Sequence, residues 1–329
     1  MQDMHQRTID YLRVSLTDRC NFRCRYCMPK QGVVLRDHYE ILRYEELLRL
    51  IVLFGQRGIR KVRLTGGEPL VRKGIVEFIR TLAGLGSLED ISLTTNGSLL
   101  AQSAAALKEA GLRRINISLD TVDPERFTEI TGGCGRVEKV LEGLNEALRV
   151  GFQPVKINVV LSEAFQESDL HWFLELVRQK PVHVRFIEYM PIGPVALKGG
   201  LQIAEIKRLL AQLAKSPLLP LKNVVYGQGP ARYYHLADSR GTFGFIAPLT
   251  EHFCGECNRL RLTADGKLKP CLLGEAEIDL AGPLRGGASD QELLQLFDRA
   301  VCQKPSGHAL CAGSENPVQR KRGMSQIGG

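Results

Sequence analysis

The run Cys20-Asn21-Phe22-Arg23-Cys24-Arg25-Tyr26-Cys27 follows directly on a strand candidate, Thr8–Leu16. Three thiolates within so short a loop can grip one metal centre. A cubane iron–sulfur cluster has four irons, each normally taking one thiolate, so three cysteines leave one iron open to a small molecule. A structural zinc ion would want a fourth ligand close by, and the nearest downstream histidine is His38. The run reads as an open-site cluster loop at the carboxyl end of a strand.

Working outward, strand-like and helix-like segments alternate for two-thirds of the chain. Strands are expected at Thr8–Leu16, Lys61–Thr65, Ile91–Thr95, Arg114–Asp120, Val155–Leu161 and His183–Met190, rich in Val, Ile, Leu and Thr. Amphipathic stretches lie between them at Glu45–Phe54, Val71–Leu82, Gln102–Glu109, Val137–Val150 and Asp169–Arg178, and Ile203–Leu213 follows the last strand. Six β-then-α units imply a parallel sheet with helices outside it. A curved, incomplete six-unit barrel is the preferred form, with a doubly wound open sheet as the alternative. Near Pro217 the character changes to short β-like pieces, the turn Gly227-Gln228-Gly229-Pro230 and a helix at Ser289–Val301. Ser306 to Gly329 is rich in Gly, Ser and basic residues and reads as a mobile tail.

The 329 residues suffice for one large domain or two ordinary ones. A 44% hydrophobic and 24% charged content is that of a globular protein. Lysine and arginine outnumber the acids 44 to 36, a formal +8 that attracts phosphates, nucleic acid or acidic partners without saying which. No signal-like stretch occupies Met1 to Asp10, and no apolar run approaches the ~18 residues of a membrane span. Nine cysteines without a secretory signal point to a reducing compartment, where thiols serve metals or catalysis; the expected location is cytoplasmic.

In parallel βα architectures ligands gather at the carboxyl ends of strands. The second strand ends in Thr65-Gly66-Gly67-Glu68-Pro69, where paired glycines would let the backbone approach a ligand and Glu68 could accept from an ammonium group. Alone, this is equally a plain strand-to-helix turn. Thr94-Thr95-Asn96-Gly97 and Ser118-Leu119-Asp120 end the third and fourth strands and suit a ribose, a carboxylate, or ordinary turn and cap chemistry. Lys156 and Arg185 are cations on largely apolar strands and need partners, a phosphate being one candidate. Lys156 lies early in its strand, which counts against a site at the carboxyl end.

A second cysteine group, Cys254, Cys257 and Cys271, again supplies three ligands, with His252 keeping zinc open. Between them runs Asn258-Arg259-Leu260-Arg261-Leu262, where alternation puts both arginines on one strand face, suited to a polyphosphate or carboxylate. Cys134, Cys302 and Cys311 fit neither group and are assigned no role.

The first cysteine run resembles the signature of the radical S-adenosylmethionine (SAM) enzymes. Together with the second group, Gly66-Gly67-Glu68-Pro69, Arg185-Phe186-Ile187-Glu188-Tyr189-Met190 and the terminal Gly328-Gly329, it resembles the GTP 3',8-cyclase family of molybdenum cofactor biosynthesis, from Arg13 to Gly329. That resemblance implies an α/β fold: an incomplete (β/α)6 radical-SAM barrel over 1–216, with a carboxy-terminal α+β extension over 217–313 carrying a second iron–sulfur cluster. A Gly-Gly-ending tail, 314–329, would reach the active site through Gly328 and Gly329. It implies a [4Fe–4S] cluster on Cys20, Cys24 and Cys27 with SAM on its open iron, and another on Cys254, Cys257 and Cys271. Tyr26, Gly66, Gly67, Glu68, Ser118 and Met190 would contact SAM. Arg13, Arg63, Thr94, Lys156, Arg185, Arg259 and Arg261 would contact GTP, with the choice of Thr94 over Thr95 open. Implied partners are a one-electron donor protein and the next enzyme of the pathway, cyclic pyranopterin monophosphate synthase, with the chain a monomer or homodimer and no membrane or nucleic acid involved.

Two rivals are weaker. A radical-SAM peptide-modifying enzyme would tend to carry more carboxy-terminal cysteines and lack the Gly-Gly end. A basic zinc protein binding nucleic acid would interleave aromatic residues with its cations, whereas the chain is 6% aromatic with no such patch.

Overall fold

The computed structural model describes residues 1–192, 199–221, 229–308 and 322–328. Six parallel strands, β1 (Tyr11–Ser15), β2 (Lys61–Thr65), β3 (Asp90–Thr95), β4 (Arg114–Ser118), β5 (Val155–Leu161) and β6 (Val182–Glu188), lie side by side in chain order. A doubly wound sheet would reverse its strand order at a switch point. Sequential order fits the barrel instead. The remaining strands are β7 (Leu219–Pro220), β8 (Arg232–His235), β9 (Thr242–Ile246), β10 (Arg259–Leu262), β11 (Lys267–Lys269) and β12 (Ile278–Asp279). They do not form a sheet of their own. β9 joins β6 in parallel, pairing Arg185 with Gly244, and β10 joins β1 in parallel, pairing Arg13 with Arg261. The carboxy-terminal third thus extends both edges of the barrel sheet, and β12 and β7 end it.

Each strand has two personalities. Leu12, Val14, Val62, Leu64, Leu93, Ile115, Ile117, Ile157, Val159, Leu260 and Leu262 belong to the buried core. Their alternating neighbours Tyr11, Arg13, Arg63, Thr94, Ser118, Asn158, Arg185, Arg259 and Arg261 line a central cavity. A period of two is what a strand gives, so one apolar face meets the helices while a polar face looks inward.

The outer helices follow from their apolar spacing. In Tyr44–Gln56, Leu47, Leu50, Ile51 and Phe54 are buried at helical intervals, with Glu45 and Glu46 in the first turn. Phe54 meets Phe297 of the helix Asp290–Cys302 with ring centroids 4.4 Å apart, tying the last long helix to the first. The expected helix Val71–Leu82 starts later, at Ile75, because Pro69–Val71 forms a 3-10 turn and Gly74 takes a left-handed conformation at φ 81°. The expected mobile tail is corrected in part. Residues 322–328 are docked, with Arg322 bonded to Asp265 and Glu277, a short helix at Met324–Ile327, and Ile327 3% exposed. Gly329, Cys311 and the turn residues Gly227 and Gln228 lie outside the described residues.

Candidate active site

Both cysteine groups open onto one cavity of about 320 Å³. Cys20, Cys24 and Cys27 sit on the loop after β1, Cys254 and Cys257 precede β10, and Cys271 follows β11. The β1–β10 pairing is therefore what brings the second group within reach of the first.

The first loop is seated by the glycine turn after β2. The Gly67 and Glu68 N–H groups donate to the Thr17 and Arg19 carbonyls at 2.7 and 2.8 Å. A Cβ at Gly66 would lie 2.7 Å from the Thr17 oxygen, and one at Gly67 2.4 Å from the Arg19 oxygen. These glycines also line the cavity, and the close approach the structure shows is to the cysteine loop. Glu68 is fully buried and accepts from Leu70 N–H, the Thr95 hydroxyl and Asn96 N–H at 3.0, 2.8 and 2.7 Å. It stands behind the cavity wall, latching β2 to β3, so the expected contact to a ligand amine is not supported by its position.

Burial pushes the Cys20 thiol up to about 11. Burial, then the neighbouring Cys20, pushes Cys27 up to about 12, opposed by the Ser325 backbone N–H. Cys24 is raised by burial and by Cys27, Asp120 and Cys20. Ionising three such thiols together is costly, and a metal centre is what offsets that cost. A single zinc ion with sulfurs at ~2.3 Å would draw them to about 3.8 Å of one another. Neither trio is drawn in so tightly: among the described residues, the group whose ligand atoms all lie within 4.8 Å of one another is His252, Cys254 and His308. Zinc there would take one cysteine of the second trio and leave Cys257 and Cys271 out. The wider spacing suits a cluster.

The polar wall between the trios is built from strand registers. Arg261, Arg13 and Arg63 are Cα partners across β10, β1 and β2, and all are at most 8% exposed. Burial, then Arg261 and Arg63, holds Arg13 well below the ordinary arginine range. Burial brings Arg63 and Arg261 each down to about 10, with Arg259 adding to the effect on Arg261. Arg114 is neutralised by Asp90. Arg185 spans the Asn116 and Asn158 side-chain oxygens, and its Nε is buried with no hydrogen-bond partner. Thr94 Oγ1 is likewise buried without a partner, whereas the Thr95 hydroxyl serves Glu68. Lys156 does not line the cavity; it lies over the Tyr233 ring, 5.5 Å from its centroid, as its early place in β5 suggests.

Arg261 also donates to the Gly328 carbonyl at 2.7 Å. Gly328 itself takes φ 78°, and a Cβ there would lie 2.4 Å from Thr65 Oγ1, so the tail enters where a side chain would not fit. Met190 and Ser118 line the cavity. Tyr26 donates to Asp120 at 2.8 Å; burial raises Asp120 to about 6 against that bond and the Val160 N–H. Residues not anticipated from sequence include Asn158, Phe253, Met324, Ser325 and Lys304. An Asn on β5 and a Lys just beyond a helix carry no local signal of their own. A more open hollow around His38, Arg49 and Arg285 lies on the outer face and holds no cysteine.

Residues 14–177 match the Radical SAM superfamily model and residues 182–310 match Molybdenum Cofactor Synthesis C. Over its full length the chain is 50% identical to GTP 3',8-cyclase of Moorella thermoacetica and 51% identical to that of Heliobacterium modesticaldum, covering 100% of each. The chain belongs to the GTP 3',8-cyclase family. Among solved structures, Streptococcus suis SuiB bound to S-adenosylmethionine superposes with a TM-score of 0.63 at 14% identity, covering 83% of this chain and 63% of that one. At that identity the likeness speaks for the barrel fold alone. The boundary between the two family models, near residue 180, falls inside the continuous sheet, so in this cyclase family member both parts build one wall. No helix among the described residues is long and apolar enough to cross a membrane.

Proposed function

We propose that the chain is a SAM-dependent radical enzyme, a lyase that converts GTP to (8S)-3',8-cyclo-7,8-dihydroguanosine 5'-triphosphate in the first step of molybdenum cofactor biosynthesis. The observation that carries it is the row Arg261–Arg13–Arg63. Three buried guanidinium groups in adjacent registers repel one another, and a triphosphate turns that repulsion into attraction while accepting bidentate bonds. Cysteine trios at both ends of the cavity fit two [4Fe–4S] clusters, Cys20, Cys24 and Cys27 holding one and Cys254, Cys257 and Cys271 the other. A cluster held by Cys20, Cys24 and Cys27, with SAM bound and one electron supplied, would provide the radical chemistry able to remove the 3' hydrogen of GTP.

The chain's own residues do the rest. Arg13, Arg63, Arg259, Arg261 and Arg185 clamp the phosphates, and the Thr94 hydroxyl offers the unused bond. Tyr26, Ser118, Met190 and the glycine turn wall the SAM side, with Asp120 orienting Tyr26. Gly328, held by Arg261, closes the cavity from the tail and excludes water from a reactive intermediate; the same role is assigned to Gly329 from the family resemblance alone. Lys156 stands outside the clamp, over the Tyr233 ring. A one-electron donor protein and cyclic pyranopterin monophosphate synthase, which takes the product, complete the reading, in the cytoplasm.

Protein reconstituted anaerobically is incubated with SAM, a reductant and GTP. Formation of 5'-deoxyadenosine should depend on GTP and match the cyclised nucleotide formed. Deoxyadenosine that ignores GTP, or colourless protein with stoichiometric zinc, would sink the proposal.

A further inference from the structure

The segment Lys304-Pro305-Ser306-Gly307-His308, one residue after the helix Asp290–Cys302, belongs neither to the arginine clamp nor to the SAM side of the cavity. Lys304 is 3% exposed. Its Nζ donates to the Arg259 carbonyl at 2.8 Å and the Pro270 carbonyl at 2.9 Å, and lies 3.5 Å from the Cys257 sulfur. An ammonium group carries three N–H donors and accepts nothing, so three acceptors around it match the charged form and use it fully. Arg259 stands two residues after Cys257, and Pro270 one residue before Cys271. Lys304 therefore bonds beside two cysteines at once.

The other end of the segment meets the third cysteine: the His308 N–H faces the Cys254 sulfur, and its ring Nε2 is 3.0 Å from the Pro248 carbonyl. The whole is fastened from the amino-terminal end. Arg7 donates to the carbonyls of Cys254 and Pro305, both at 2.7 Å, while its Nε bonds Asp3 at 2.6 Å. Arg7 is 6% exposed and Asp3 8% exposed. One buried ion pair thus fixes the distance between the Cys254 loop and the Lys304 segment.

We infer that Lys304 is a charge partner of the second cluster, alongside Arg259, whose guanidinium donates to the Cys257 sulfur at 3.7 Å: its ammonium, fixed beside Cys257 and Cys271, raises the cluster's reduction potential and helps retain it, and Arg7 positions the segment that carries it. This rests on the proposal that Cys254, Cys257 and Cys271 hold a cluster. Cluster potentials respond to nearby charge, to hydrogen bonds at sulfur and to exposure. A buried cation favours the form with one more electron. Lys304 is a positioning and tuning residue, since its three donors are engaged by the protein rather than aimed at substrate.

The full chain with Cys20, Cys24 and Cys27 all changed to Ser isolates the second cluster and should retain about four irons. Should that parent hold no iron, it is the cluster assignment itself that fails, before Lys304 is touched. In this background, Lys304→Gln and Lys304→Arg are compared by a redox titration followed by electron paramagnetic resonance without GTP, and by iron retention against a chelator. The expected result is a lower potential or faster iron loss in the Gln variant, with the Arg variant returning towards the parent. Equal potential and retention in Gln variant and parent would overturn the inference. So would equal displacement in both variants, which would mean shape rather than charge, or a change confined to GTP affinity.

Discussion

Thr94 and Thr95 are adjacent, yet their hydroxyls have opposite situations: one is buried without a partner, the other is bonded to Glu68. Thr94→Val should weaken GTP binding about fivefold, the worth of one neutral hydrogen bond of about 1 kcal/mol, with stability unchanged. Thr95→Val should instead lower stability by roughly 1–3 kcal/mol, because buried Glu68 loses a donor. Calorimetric titration with GTP and thermal unfolding of both variants check the pair; equal GTP affinities would remove Thr94 from the site. The sequence could not separate them, since which hydroxyl finds Glu68 depends on how β2 and β3 lie together. The paired glycines were legible as a place where backbone can approach closely, but not that the cysteine loop is one of the neighbours there. Gly67→Ala places a Cβ 2.4 Å from a backbone oxygen of the cysteine loop, which no rotamer change relieves. The loop must shift, so iron per chain should fall from about eight towards about four, the first cluster being the one lost. Full iron content with weakened SAM binding alone would return the glycine to a ligand role.

At the scale of elements, strands β2 and β5 were legible to the residue, because Val, Ile and Leu alternate with polar groups between clear breakers. The helix Pro124–Ile130 is not legible from periodicity. Its start signal is present, with Asp123 accepting from the Arg126 N–H and Pro124 leading the first turn, but seven residues give too little periodicity. Between elements, Glu46 ties the helix Tyr44–Gln56 to the short helix Ala281–Arg285. Arg285 bonds it at 2.8 and 3.0 Å, and those bonds, against the opposing effect of burial, bring its carboxyl down to about 2. Its ordinary value is 4.5. A lowered carboxylate contributes stability that is present above the unfolded value and lost as pH falls through the folded one. Glu46→Gln should therefore cost about 1.5 kcal/mol at pH 7, and the difference from the parent should shrink between pH 4.5 and pH 2. Urea unfolding at several pH values measures this; a pH-independent difference would assign the effect to packing.

At the scale of the whole molecule, the two cysteine trios and the arginines were each legible, while their meeting was not. Arg13 and Arg261 are 248 residues apart in sequence and become Cα partners only because β10 pairs with β1. No local pattern encodes a pairing of that span, so the clamp emerges from topology. The same topology sets a conflict between stability and binding. A cavity wall carrying Arg261, Arg13 and Arg63 in adjacent registers gathers like charges in a buried place, which favours the complex over the empty protein. Arg13→Met keeps length and apolar packing while removing the central charge. The ligand-free variant should unfold about 2 °C higher or more, corresponding to roughly 1 kcal/mol of relieved repulsion. GTP at a hundred times its dissociation constant stabilises the parent by about 2.7 kcal/mol, and in the variant that gain should largely vanish. Inorganic triphosphate should follow GTP in both proteins if the phosphates are what the row recognises. A variant less stable than its parent when ligand-free would mean that Arg13 is held by its surroundings rather than strained by them. The row would then be a structural feature of the barrel, and the triphosphate would have to be bound elsewhere.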